Sequence, residues 1–292
     1  MLAEAAHQAG ARLCRGVDVT SCVPSVSDGW PHGWHVEFGD GRRRHQLRTT
    51  FVIDATGRAA SLARRQGANR IASDRLVGLA AVLPAHSVED EHVGRTLVEA
   101  TDDGWWYSAL LPGSRLMAVY MTDADLLPRQ RQSWPAFWQA RLQQTRLTKE
   151  HARSFRLSSA QPPGPRVVAA NSSRLDRMSG RGWLAVGDAA LAFDPLSSQG
   201  MLQAMISGIS AGETLHRYLA GEVAALGEYD NRAQRTLREY ARLHAAYYGR
   251  ERRWPQSVFW RRRHGAAAQS EHAQHVAVRR RTGDPLAEGS ST

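Results

Sequence analysis

GWLAVGDAALAFDPLSSQGM, residues 182–201, is the stretch on which the fold of this chain turns. Its first part, WLAVGD (Trp183 to Asp188), is a short apolar run ending in Gly-Asp, as a parallel strand buried on both faces requires. Its second part is a Pro-containing loop that feeds a helix from Gly200 to Leu219, rich in Met, Ile, Leu and small residues. Gly208, Ala211 and Gly212 are small enough to let that helix pack closely on a sheet. Strand, acidic tip, loop and helix N-terminus in this order read as part of an open α/β sheet, whose ligands bind beyond the carboxyl ends of the strands. FVIDATGR at 51–58 has the same texture, a continuous apolar run that ends in a small-residue turn.

Upstream, Leu2, Ala5, Ala6, Ala9 and Leu13 recur at near-helical spacing, Gly10 marks a helix end, and a short strand is expected from Leu13 to Val19. WHVEF at 34–38 alternates apolar and polar residues. Asp40-Gly41 then reads as a two-residue hairpin turn, and RRHQLR returns antiparallel. Between Leu76 and Met121 the texture changes to β-like runs (LVGLAAVL, TLVEA, WWYSALL, RLMAVYM), which predict a mixed or antiparallel second sheet. Ser133 is placed to cap a helix running through Arg146, PPGP at 162–165 breaks the chain, and Glu228 to Gly249 reads as a long amphipathic helix. The expected fold class is α/β. A three-layer FAD/NAD(P)-binding domain would occupy 1–74 and 166–225, with a β-rich substrate domain at 75–165, a C-terminal helical segment at 226–264 and a disordered tail at 265–292.

The 292 residues are 42% hydrophobic, enough for one large core or two modest ones. The formal charge of +10 suits an anionic partner, but Lys149 is the single lysine and the arginines are spread along the chain, so a solvated basic surface is expected and no nucleic-acid partner. No apolar run has the length of a membrane span, and the first residues lack a signal core, which points to the cytoplasm. Cys14 and Cys22 read as reduced thiols. No metal-ligand spacing occurs among the cysteines and the twelve histidines, which are read as surface or helix-terminal, and no metal site is expected. Ser197 and Ser198 lack the context of a nucleophile elbow.

Each part of residues 182–201 suits one part of a flavin. Asp188, beside Gly187 at a strand end, can accept hydrogen bonds from ribityl hydroxyls. Pro195 leaves room beside the ring, and backbone N–H groups around Ser198, Gln199, Gly200 and Met201 can meet its carbonyl edge. Reduced flavin carries negative charge at that edge, which a helix N-terminus stabilises.

GDAALAFDPLSSQGM resembles the second FAD-contacting motif of the p-hydroxybenzoate hydroxylase-like flavoproteins, a family that includes aromatic monooxygenases, tryptophan halogenases and geranylgeranyl reductases. The resemblance implies ribityl contact by Asp188 and ring contact by Pro195 and Gly200. FVIDATGR resembles the family's other strand, which places Ala55, Thr56, Gly57 and Arg58 by the pyrophosphate and ribose. The strand ending at Val19 would meet the adenine. DDGWWYSALLP (102–112) and ERRWPQSVFWRRR (251–263) are similar to the halogenase-related branch that matures quinone-cofactor amine and amino-acid oxidases by modifying a side chain of a partner protein.

Two departures stand beside the match. The G-x-G-x-x-G turn that holds the diphosphate in the family is absent from the sequence, consistent with a truncated reading frame, a misassigned start or a piece supplied by another chain. Gln199 interrupts the Ser-Ser-Gly spacing of the halogenase chloride turn. The resemblance therefore implies an FAD-dependent monooxygenase acting on an aromatic small molecule or a partner-protein side chain, reduced by NAD(P)H or a flavin reductase. A halogenase or reductase on the same scaffold and a non-catalytic fragment or binding partner are the alternatives. Trp105, Trp106 and Tyr107 are candidates to line an aromatic cavity or to be core.

Overall fold

A computed structural model of the protein describes residues 1–25, 33–84, 95–154 and 164–265. In chain order these form α1 (Leu2–Gln8), β1 (Asp18–Ser25), β2 (Gly33–Gly39), β3 (Arg44–Thr49), β4 (Val52–Asp54), α2 (Ser61–Arg65), β5 (Arg70–Ala72), β6 (Leu76–Pro84), β7 (Thr96–Thr101), β8 (Gly104–Leu111) and β9 (Arg115–Asp123). There follow α3 (Trp134–Gln144), α4 (Leu147–Ser154), β10 (Arg166–Ala169), β11 (Ser173–Leu175), β12 (Ser179–Gly180), β13 (Trp183–Ala185), β14 (Leu191–Ala192), α5 (Gly200–Leu219), α6 (Ala224–Tyr248) and a helical run at 258–265. This is the mixed α/β class expected. The chain divides into two compact units, the first made of Met1–Arg70, Arg174–Leu191 and Met201–Asn231, the second of Ile71–Ser173, Ala192–Gly200 and the residues from Arg232.

In the first unit, β4 and β13 pair in parallel, Trp183 opposite Val52 and Ala185 opposite Asp54, and β12 adds antiparallel to β13. The covering of both faces expected from the apolar runs holds for β13, where Trp183, Leu184 and Ala185 are all buried, but not for β4, where Ile53 is 42% exposed. A separate antiparallel sheet holds β1, β2 and β3. Trp34 fixes it through an indole N–H donated to the carbonyl of Gly182 at 2.8 Å.

Several expectations are corrected here. The strand expected at Leu13–Val19 instead begins at Asp18 and runs to Ser25, because it pairs antiparallel with β2, so Val19 lies near its start. The hairpin turn spans four residues, since Gly39 pairs with Arg44; Asp40 Oδ1 accepts the N–H groups of Arg42 and Arg43, and Gly41 takes φ +84°. Of the small residues of α5, Ala211 is buried, but a Cβ added at Gly208 or Gly212 would meet nothing within 4 Å. The large apolar side chains of that helix are outside: Met201 is 84% and Ile209 67% exposed.

The second unit is built on one antiparallel sheet in the order β10-β6-β9-β8-β7. β10, read from the sequence with the FAD domain, pairs with β6, Ala169 opposite Val77. Side chains of β8 alternate between two cores. Trp106 joins Tyr120 and Trp138, with ring centroids 5.3 and 5.2 Å away, and Trp105 joins Tyr248, Phe259 and Trp260. Ser133 makes no side-chain cap, and the helix it precedes ends at Gln144. Glu99 of β7 instead accepts the N–H groups of Arg146 and Thr148 and the Thr148 hydroxyl, starting a second helix, α4. The arginines at 262 and 263 are not simply solvated: Arg263 is buried and, with Arg262, binds Asp123. The expected tail, apart from Gly265, lies outside the described residues.

Candidate functional site

The parallel register sets the tips of β4 and β13 side by side in the first unit, and both following turns bend there. Asp54, almost wholly buried, organises the first turn. Its Oδ1 accepts from the N–H and hydroxyl of Thr56 at 2.9 and 2.6 Å, and its Oδ2 accepts from Leu62 and Ala63 N–H at the start of α2. This leaves Ala55 and Thr56 exposed and Gly57 at φ +65°, with open space where a Cβ would stand. Across from it Gly187 takes φ +53°, and a Cβ there would meet Ala204 at 3.2 Å, so a side chain is excluded twice over. Gly187 N–H is held by Ser207 Oγ at 2.9 Å.

Arg58 and Asp188 meet across this cleft, Nε to Oδ2 at 3.6 Å, both partly exposed. A pair so open to water contributes little to stability. Arg70 lies beneath the second turn, donating from Nη2 to the carbonyls of Asp188 and Ala189 at 2.9 and 2.8 Å. Burial, aided by the neighbouring Arg58, lowers its pKa. Sequence reasoning missed Arg70, because its partners lie more than 100 residues on in the sequence and no local pattern signals them. The paired strand tips supply open backbone, one carboxylate and two guanidinium groups, a donor set that suits a polyhydroxylated, phosphate-bearing ligand. Val19 stands exposed on β1 and Met201 exposed at the start of α5.

The other predicted residues belong to the second unit. Pro195 opens a short 3₁₀ turn that Asp194 caps, its Oδ1 accepting from Leu196 N–H at 2.8 Å. Ser198 follows at φ +52°, the left-handed backbone that favours glycine, and Gln199 N–H is held by Ser197 Oγ. Trp105 and Trp106 are both core residues rather than cavity walls, and Tyr107 is half-buried beside the Trp105 core.

Sequence reasoning also missed what lies behind the Pro195 turn. Tyr240, His244 and Tyr248 recur every four residues along one face of α6, a spacing that was legible, and all three engage Asp194. Tyr240 accepts the Asp194 N–H at 2.9 Å and shares a 2.6 Å hydrogen bond with Ser172. Tyr248 donates to Asp194 Oδ2 at 2.8 Å and accepts from the Trp105 indole at 2.9 Å. Burial, and secondly the Asp194 carboxylate, raises both phenols well above the usual tyrosine range, so they stay protonated. His244 is neither at the surface nor at a helix end, whereas His151, in the last turn of α4 as a helix-terminal histidine, is buried with Nδ1 2.9 Å from Ser108 Oγ.

The sequence profile of the family described as Tryptophan halogenase matches residues 2–290. LodB of Marinomonas mediterranea, described as an FAD-dependent oxidoreductase, is 29% identical over 238 residues, 80% of this chain and 62% of its own length. Among solved structures, the peptidyl tryptophan dihydroxylase QhpG, essential for tryptophylquinone cofactor biogenesis, superposes with a TM-score of 0.70 at 27% identity, over 90% of this chain and 57% of QhpG. The flavin-dependent halogenase CmlS gives 0.73 at 22% identity, over 94% of this chain and 50% of CmlS, a likeness of fold. The chain thus spans between half and two thirds of the length of these relatives.

Proposed function

The chain belongs to the tryptophan halogenase family, and from that premise we propose that it is an FAD-dependent monooxygenase acting on an aromatic group, the side chain of a partner protein in a quinone-cofactor maturation. The observation that carries the cofactor reading is the cleft between the tips of β4 and β13, where Arg58 and Asp188 flank open glycine backbone. In this reading Asp188 accepts from ribityl hydroxyls, Arg58 and the backbone of Ala55, Thr56 and Gly57 hold the ribose and pyrophosphate, and Val19 lies by the adenine. Pro195, Ser198, Gln199, Gly200 and Met201 serve the ring, the last two through orphan N–H groups at the start of α5. Arg70 keeps the Asp188 turn from opening. The bound flavin would supply electron transfer from NAD(P)H or a flavin reductase to O₂. The protein's share is to bind, orient and exclude water.

The aromatic and peptidyl part of the reading is supported by the two relatives named for FAD-dependent oxidation and for tryptophan dihydroxylation, and by the strings at 102–112 and 251–263. Gln199 between Ser198 and Gly200 speaks against a halide turn. No described helix is long and apolar enough to cross a membrane, in keeping with a cytoplasmic site of action. In this reading 1–74 and 166–225 are the FAD-binding part, 75–165 the substrate part and 226–264 a helical segment, whereas the compact units place β10 with the second sheet.

The reaction is tested by incubating the flavin-loaded protein with a reductant, O₂ and a tryptophan-containing peptide, with bromide present. A mass gain of oxygen on the peptide is expected. Halogen incorporation, or turnover that continues without O₂, would replace the hydroxylase reading with the halogenase or reductase one.

A further inference from the structure

The second unit contains a cavity of about 470 Å³, within the range of small-molecule sites. Leu237, Tyr240, Ala241 and Ala245 of α6 give it an apolar wall, and His244 stands in the same wall. His244 is 22% exposed at its side chain, while the Asp194 carboxylate behind it is 1% exposed. His244 Nε2 lies 3.1 Å from Asp194 Oδ2. An ionised carboxylate only accepts, so in the neutral imidazole Nε2 carries the proton and the lone pair is left on Nδ1. Tyr248 and Leu196 occupy the carboxylate from other directions and hold it in place. Among the described residues, Nδ1 has no hydrogen-bond partner.

The other charged groups that line the cavity already have partners. Asp74 accepts the N–H groups of Leu76 and Ser172, each at 2.9 Å. Asp123 takes Arg262 and Arg263, and Arg262 also binds Asp125, which Arg75 approaches to 3.6 Å. At the Asp123 cluster an anion would compete with the carboxylates for Arg262 and Arg263, and a cation with those arginines for Asp123, whereas a neutral guest leaves the pairs intact.

We propose that this cavity binds a neutral, planar aromatic bearing one hydroxyl or ring N–H, with that donor on His244 Nδ1 and the ring against Tyr240 and the α6 side chains. The inference rests on the aromatic-substrate reading above and gives it a place, a phenol or indole group held by a carboxylate-backed imidazole. Because Nε2 is committed to Asp194, a ring capped by methylation at its O–H or N–H loses the polar contact while keeping the apolar one.

The test is a titration of the full chain with indole and 1-methylindole, and with phenol and anisole, followed by ligand-observed NMR. Indole and phenol are expected to bind about tenfold more tightly than their methylated counterparts, the worth of one hydrogen bond into a partly buried site. Ala241→Trp fills the cavity from an exposed position without touching the Asp194–His244 pair, and is expected to abolish binding. His244→Phe is expected to keep ring binding and erase the discrimination. Equal affinity for indole and 1-methylindole in the unaltered protein, or undiminished binding in Ala241→Trp, would overturn the proposal. FAD uptake is recorded on the same sample: flavin binding without indole binding fails this inference alone, and indole binding without flavin fails the oxidoreductase reading alone.

Discussion

The two units treat their large side chains in opposite ways. In the second, Trp105, Trp106, Tyr120, Tyr248 and Phe259 are inside, Arg263 is stacked over Phe259 at 3.4 Å and paired with Asp123, and the Asp194 carboxylate gathers two donors and a fixed histidine. In the first, Trp34, Phe51, Trp183 and Tyr229 are buried among mostly small or short side chains, and the apolar face of α5 (Met201, Leu202, Met205, Ile206, Ile209) points outward. The second unit is held by aromatic cores with the polar networks of Asp123 and Asp194 set among them. The first is shaped at its strand tips by turn geometry, and its open glycine backbone serves a ligand better than a core.

The largest expected break is in the second unit. Asp123→Ala strands Arg263 inside the protein without its counter-charge, and equilibrium denaturation is expected to show a loss of about 3–5 kcal/mol, the range for breaking a buried pair. Next comes alkaline pH. Burial pushes Tyr120 up to about 12 from an ordinary 10.0 and raises Tyr240 and Tyr248 as well. Groups whose folded-state values are raised stabilise the fold fully below the unfolded value and lose that contribution as pH rises through the folded one. Stability should therefore fall above pH 10.0, with Tyr120, Tyr240 and Tyr248 ionising together with unfolding; ionisation of these three in a protein that stays folded, read by site-resolved NMR, would contradict the network.

In the first unit the effects are smaller. Trp34→Phe removes the indole N–H while the Gly182 carbonyl keeps the Val52 N–H, at an expected cost of about 1 kcal/mol, the worth of one hydrogen bond. Ile209→Ser on the exposed face of α5 should change stability by less than about 0.5 kcal/mol while reducing the binding of a hydrophobic dye. A cost comparable with a core substitution at Ile209 would erase the contrast between the units.

What the sequence disclosed follows the same division. The apolar runs at 51–53 and 183–185, the Gly-Asp tip and the long α5 are local patterns, and the structure places them as strands, turn and helix. The pairing of β10 with β6, the Glu99 carboxylate that starts α4 and the burial of Arg263 all join residues far apart in sequence, and no local pattern signals them. Trp105 and Trp106 show the limit most plainly. Adjacent aromatics on a strand must face opposite ways, but which core each enters depends on the register with β9 and on helices that come later in the chain. Tyr240, His244 and Tyr248 could have been read as one helix face, yet their partner Asp194 was hidden in a motif whose other residues drew the functional reading.

The central claim is that the tips of β4 and β13 hold a flavin. FAD titrated into the purified chain and followed by its visible absorption and fluorescence should bind, and Asp188→Ala, which removes an exposed carboxylate with little structural burden, should weaken that binding by about tenfold. A chain that takes up no FAD, or binds it equally well without Asp188, would contradict the account.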